Sequence, residues 1–389
     1  MTMRHGCQRL LRGRWTSGPR ARTLGRPAAA RSMSQPTPID SPPPARAPLS
    51  PPGIGVPDED APLVAALPDG PLRPIFILGL HRSGTTFLYE ALDRLLPAAS
   101  LRAWHIAFYP RLLAGQADGR GAADRAAFDA YFRALGLRDR QIDAIALTAE
   151  TVEEYGWVLR RYGRSFKLEP KSDARFREMC KKLLALEGEP RGVRGGEVLL
   201  KNPWDTGEAA SILARYPEAR FVCITRDPIR IAASQWRNSL LFGSAATPYL
   251  DLLLEGFGLG KAVIRGQKLL YRVAGRERYA AVMLRWILKD VARELARYRA
   301  AVAALPGERW VEVPYERLVE RPAEVLGRVV EFLGLEPRVP LDTIEPRPRE
   351  RALDPALERR RAAFEARLEA LDLRDPTRLL PTGTPGGAP

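Results

Sequence analysis

Histidine and cysteine are nearly missing from this 389-residue chain, which holds three of each. Cys7, Cys180 and Cys223 lie far apart and match no metal-ligand spacing. An odd, sparse set of this kind fits reduced thiols and excludes a disulfide framework. Long apolar runs are also missing: no stretch of about 18 uncharged apolar residues occurs, so no membrane span is predicted. The longest uncharged stretch, near Leu240, is broken by Pro248 and then Asp251. Residues 1–39 contain eight arginines and no Asp or Glu. They account for eight of the formal net charge of +15 and leave +7 for the rest. That remainder fits an anion-handling protein. It does not require nucleic acid, since the chain shows neither a basic stripe interleaved with aromatics nor a known nucleic-acid module.

What is present falls into three parts. Residues 1–70 are rich in Arg, Pro, Ala and Ser and are expected to form a disordered leader or linker. Their acid-free start has the composition of an organelle transit peptide, or of a translated upstream region with Met33 as the true start. Without import, the expected location is cytoplasmic. Residues 71–375 carry the ordered pattern, and 376–389 read as a disordered tail. Four strands are predicted: Pro74–Gly79, Glu197–Asn202, Arg220–Thr225 and Arg309–Val313. Helical periodicity follows the first, with Leu88, Ala91, Leu92 and Leu95 at i, i+3, i+4 and i+7 before Pro97. It follows the third as well, where Asp227-Pro228 reads as an N-cap with proline at the first helical position. Strands alternating with helices predict an α/β fold with a P-loop-like central parallel sheet, whose ligands sit at the carboxyl ends of the strands. A helical, aromatic-rich insertion, about 105–196, is expected over those ends, where an acceptor pocket could form.

The segment "FILGLHRSGTTFL" (Phe76–Leu88) nearly fits the phosphate-binding pattern G-x-x-x-x-G-K-[ST]. Gly79, Gly84 and Thr86 occupy their places, but Thr85 stands where the lysine belongs. Backbone N–H groups at a helix N-terminus, the hydroxyls of Ser83, Thr85 and Thr86, and the Arg82 fork would still make an anion site. Taken alone, the loop is a weak signal, because many strand-to-helix turns tolerate these residues. A second cluster strengthens it. Arg226 ends the third strand, and Arg230, Ser234 and Arg237 recur at i, i+4 and i+7 on the next helix. No Walker B-like Asp and no metal-ligand constellation accompany the two clusters.

In this context the chain resembles the PAPS-dependent sulfotransferase superfamily, nearest to its bacterial and tyrosylprotein-sulfotransferase-like branch. "HRSGTT" resembles the loop that holds the 5′-phosphosulfate, which assigns Arg82, Ser83, Gly84, Thr85 and Thr86 to donor binding. "ITRDPIRIAAS" resembles the 3′-phosphate motif and assigns Arg226 and Ser234. "LLKNPWDTG" supplies Lys201, and "VPYERLVERPAEVLGRVVEFLGL" (Val313–Leu335) resembles the family's C-terminal segment. Four motifs in the right order span roughly Arg73–Leu335. The resemblance implies metal-independent transfer of a sulfuryl group from PAPS to a hydroxyl or amine of a small-molecule, lipid or glycan acceptor. Arg82 would neutralise the transferring oxygens, and Lys201 would support the bridging oxygen. The family's branch places a glutamate after a tryptophan, where this chain has Trp104-His105. That makes His105 the expected general base, with Glu153 and Glu154 in reserve as residues read here as exposed and helical. A P-loop small-molecule or nucleoside kinase and a non-catalytic nucleotide-binding protein are the alternatives.

Overall fold

Five parallel strands form one sheet in the order β2-β3-β1-β4-β5. They are β1 (Arg73–Leu78), β2 (Ala99–Ser100), β3 (Glu197–Lys201), β4 (Arg220–Thr225) and β5 (Trp310–Pro314). The computed structural model describes residues 52–141, 145–255, 257–346 and 352–373. Four of the strands coincide with the apolar runs expected from sequence. The fifth, β2, has only two residues, Ala99–Ser100, and is too short to carry a pattern.

The strand sequences explain why the sheet is buried. In β1, all residues after Arg73 are buried, as a strand flanked on both sides must be in a parallel α/β sheet. Alternate residues divide between two cores. Phe76, Leu78, Leu200, Phe221 and Cys223 face one layer of helices. Ile75, Ile77, Leu199, Val222, Ile224 and Val313 face the other. Register places Ile77 beside Lys201 and Leu78 beside Cys223. The chain therefore leaves β1, β3 and β4 at neighbouring points of one sheet edge.

Two helices lead away from that edge. Thr85–Leu95 buries Leu88, Ala91, Leu92 and Leu95 at the expected spacing and ends just ahead of Pro97, as proline requires. Pro228–Ser244 begins with the expected cap, the Asp227 carboxylate accepting from Ile229 N. It packs against the helical stretch Gly258–Ala303, which is broken at Gly275 (φ 72°, ψ 169°). The crossover between β2 and β3 is the expected helical insertion. Most of its aromatics (Phe128, Phe132, Tyr155) are core residues.

The expected boundary near residue 70 shifts. Residues 1–51 and 374–389 lie outside the described residues, but residues 52–70 pack onto the domain and include a short helix, Ala61–Ala66. Asp60 is fully buried. It accepts from the backbone N–H groups of Leu113 (3.0 Å) and Ala114 (3.0 Å) and pairs with the buried Lys182 ammonium at 3.0 Å. Composition hid this because the anchor is a single carboxylate in a Pro-rich stretch. Removing one partner of a buried ion pair strands the other in a poor solvent for charge. Asp60→Ala is therefore expected to destabilise the protein by about 3–5 kcal/mol, read as a lower urea midpoint with an unchanged slope.

Candidate active site

The loop after β1 is anchored where it leaves the strand. The Gly79 carbonyl accepts from Thr206 Oγ1 (2.8 Å) and the Leu78 carbonyl from Tyr298 Oη (2.9 Å). Arg82 and Gly84 take positive φ values of 77° and 101°. At Gly84 a side chain is excluded twice over, since a Cβ there would lie 2.3 Å from the Tyr315 ring. This turn aims the first amides of the helix Thr85–Leu95 at the sheet edge, where they have no helical acceptor. The Ser83 hydroxyl is buried and has no hydrogen-bond partner among the described residues. Orphaned donors at a helix N-terminus suit an anion.

The second cluster joins this loop directly. Arg82 Nε donates to Ser234 Oγ at 3.0 Å, and Arg226 Nη1 donates to the Arg82 carbonyl at 3.1 Å. The Arg226 guanidinium also stacks on Tyr315, 4.1 Å from the ring centroid, and its Nε has no hydrogen-bond partner among the described residues. Tyr315 thus closes one side of both anion positions. It stands at the end of β5 as Arg226 stands just past β4, so the strand-end rule applies to it too, although its motif pointed only to the family.

Lys201, at the end of β3, is 2% exposed. Its ammonium donates to Thr86 Oγ1 at 3.1 Å and pairs with Glu154 at 2.8 Å. Glu154 is set there by its neighbours: Glu153 N donates to the Leu101 carbonyl, and Tyr155 N donates to the Lys201 carbonyl. Burial alone would raise the Glu154 carboxyl. The Lys201 charge and hydrogen bond outweigh it and hold the group below the ordinary glutamate value.

A cavity of about 1260 Å³ runs over the loop, Glu154 and the second cluster; Ser83 and Lys201 are not part of its wall, and Lys201 reaches it through Thr86 and Glu154. The cavity exceeds a typical single-ligand pocket of about 300–1,000 Å³, leaving room for a donor and an acceptor together. Its wall includes Arg82, Thr86, Glu154, Arg226 and Ser234 on the polar side. The apolar side includes Trp157, Phe166, Trp204, Leu254, Phe257 and Ile264.

A family model described as the sulfotransferase family matches residues 74–339, well over half of the chain. The chain belongs to that family. Among solved structures it is similar to sulfotransferase STF9 from Mycobacterium avium, at 19% identity over 81% of this chain and 80% of that one, with a TM-score of 0.48. It is also similar to sulfotransferase STF1 from Mycobacterium tuberculosis, at 19% identity over 73% of each chain and a TM-score of 0.43. A third, a sulfotransferase from Alicyclobacillus acidocaldarius, is 18% identical over 77% of this chain and 96% of that one, with a TM-score of 0.36. No curated protein matches the sequence.

In this sulfotransferase Arg82, Ser83, Gly84, Thr85, Thr86, Lys201, Arg226 and Ser234 converge at one sheet edge. His105 does not join them. It is fully buried and does not line the cavity. Its Nδ1 accepts from Arg102 N at 3.1 Å and its Nε2 lies 3.7 Å from Glu187. Burial, then the nearby Arg102 and Arg125 charges, push it well below the ordinary histidine value. It caps the short helix Ala103–Ala107, and its sequence position after Trp104 gave no sign of this. Glu153 is buried against Arg140 and accepts from Tyr249 Oη (2.7 Å). The expectation of exposed helical glutamates is corrected for both residues: the segment crosses the sheet edge without helix. The apolar wall is also only partly the insertion's. Trp157 and Phe166 come from it, but Leu254, Phe257 and Ile264 follow β4 in the chain, where a helical apolar pattern reads as ordinary core. Arg230 is not part of the cavity wall, whereas Arg237 is.

One more carboxyl braces the site. Asp205 is fully buried and accepts from Tyr155 Oη (2.5 Å), Asn202 Nδ2 (2.6 Å) and Leu168 N (3.1 Å), tying the turn after β3 to the insertion. Burial raises it from the ordinary 3.8 to about 6 despite these bonds. A raised carboxyl favours the folded state while protonated. Stability from this group is thus complete below pH 3.8 and is lost as pH rises through about 6. Two units correspond to about 3 kcal/mol. Urea titrations between pH 4 and 7 are expected to show this slope in the wild type and its absence in Asp205→Asn.

Proposed function

We propose that the protein transfers the sulfuryl group of PAPS to a hydroxyl of an apolar or amphiphilic acceptor, with Glu154 as the base. The observation that supports this reading most is the placement of Lys201 between the Thr86 hydroxyl and the Glu154 carboxylate. It sets a cation and a proton acceptor side by side at the mouth of an anion loop. A sulfonate bound at that loop competes with Glu154 for the Lys201 ammonium. Glu154 then loses its ion pair, its proton affinity rises, and it becomes able to take the acceptor's proton.

PAPS supplies the activated sulfuryl group, and the residues of this chain position it and hold the charge. Arg82, Lys201 and the loop amides offset the charge on the transferring and leaving oxygens. Arg226 and Ser234 hold the 3′-phosphate. The acceptor oxygen forms the new S–O bond as the bond to the phosphate oxygen breaks, the acceptor proton passes to Glu154, and adenosine 3′,5′-bisphosphate leaves. The missing P-loop lysine fits this chemistry, because the donor has no γ-phosphate to reach.

Adenosine 3′,5′-bisphosphate is expected to raise the melting temperature, with Mg-ATP giving little shift; stabilisation by Mg-ATP alone would refute the donor assignment. Arg226→Ala is expected to weaken the bisphosphate about tenfold or more, the loss of a charge-assisted hydrogen bond. Glu154→Gln is expected to lower kcat by about 10²–10⁴-fold while leaving bisphosphate affinity intact. The profile of kcat/KM against pH checks the base. With Glu154, held below its ordinary 4.5 in the free protein, the rate stays level as pH falls from 7 to about 5, and a fall within that range would count against it.

A further inference from the structure

Large apolar side chains that are more than half exposed are confined, among the described residues, to one part of the molecule. Leu259 (69%), Val263 (52%), Leu269 (61%), Val273 (77%), Val282 (54%) and Trp286 (57%) all lie on the helical stretch Gly258–Ala303. Scattered exposed leucines need no explanation, but a contiguous patch does. Before the break at Gly275, Leu259, Val263, Gly266, Leu270 and Val273 fall on one seam at i, i+4, i+7, i+11 and i+14. Lys261, Arg265, Lys268 and Arg272 form a second seam on the opposite side of this segment. Across Gly258–Lys289 there are eight Lys and Arg against one acidic residue, Glu277. Arg265, Arg272, Arg278, Arg285 and Lys289 are exposed.

We propose that this face docks on an anionic phospholipid bilayer and opens the apolar cavity to it. A basic amphipathic helix with Leu, Val and Trp on its other side is the composition that lies in a membrane interface. Two observations favour a bilayer over a second copy of this chain. The first is charge: even with Lys261 paired to Glu255 and Arg276 to Asp354, two copies would oppose one net positive stretch with another, whereas an anionic surface attracts each free cation by about 1 kcal/mol. The second is continuity. Leu259, Val263 and Trp286 are both exposed and part of the cavity wall, so the docking face is also the rim of the cavity. An amphiphile drawn from the bilayer enters head-first, so that its hydroxyl reaches Glu154 while its tail stays between these apolar side chains. That last step rests on the proposed sulfuryl transfer. The docking itself does not.

The test is co-flotation of the full chain with vesicles of phosphatidylcholine, with and without phosphatidylglycerol. The wild type is expected to float with the anionic vesicles only, and less so as salt rises. Leu269→Asp/Val273→Asp and Arg265→Glu/Arg272→Glu should each lower partition at least about tenfold. The arginine-rich residues 1–39 are retained in every variant, so the difference reports the helix alone. These four positions lie outside the cavity wall. Their melting temperatures and bisphosphate affinities should therefore match the wild type, which separates loss of docking from loss of folding. Equal flotation of wild type and both variants, or no flotation of the wild type, overturns the proposal. So does a concentration-dependent dimer that Leu269→Asp/Val273→Asp abolishes, if the wild type does not float. Flotation without bisphosphate binding would keep the docking face and refute the sulfuryl-transfer reading.

Discussion

The hydrogen bond from Arg82 Nε to Ser234 Oγ at 3.0 Å ties together the parts of this molecule that would hold an anionic donor. Its two residues are 152 positions apart, one in the loop after β1 and the other on the helix after β4. It exists because β1 and β4 are neighbours in a parallel sheet, so both connections leave from the same edge. The return bond from Arg226 to the Arg82 carbonyl, and the Tyr315 ring packed on both Gly84 and Arg226, extend the same constraint to β5. Glycine at 84 follows from this crowding. A side chain there would meet an aromatic ring that the neighbouring cation needs.

The other flank of β1 carries the Lys201–Glu154 pair. A buried ammonium is costly unless its donors are used, and here Thr86 and Glu154 share it. The pair is matched to an anion site, since an incoming sulfonate offers Lys201 a second partner of the same sign. The same low-polarity surroundings keep Asp205 near pH 6 and His105 far below its ordinary value. Of the four groups, only the lysine–carboxylate pair sits where a bound donor can change its partners.

Charge outside the site is distributed as unevenly as charge within it. Among the described residues, one long helical stretch carries both a marked local excess of cations and the most exposed apolar side chains. Its residues also form part of the cavity wall, so the access route and the surface chemistry come from a single element.

Much of the fold was legible because a doubly covered parallel strand must be apolar along its buried length, and "PIFIL" and "FVCI" are. The candidate anion loop was legible only beside the second cluster, since many strand-to-helix turns tolerate Gly, Ser and Thr, whereas two such clusters after neighbouring strands are harder to attribute to the turn alone. Glu154 was not, because its place depends on backbone bonds to Leu101 and Lys201, which no local pattern carries. His105 misled for the same reason: imidazole chemistry can be read from a sequence, but a helix cap beneath Arg102 cannot. The anchoring of residues 52–70 by Asp60 was equally silent. By itself, then, the amino-acid order determined four of the five strands, where their turns fall and which residues are candidates to bind an anion, since these follow from short-range sterics and periodicity. Only the tertiary structure decided which carboxylate faces the loop and which helix borders the cavity, because both depend on contacts between segments distant in the chain.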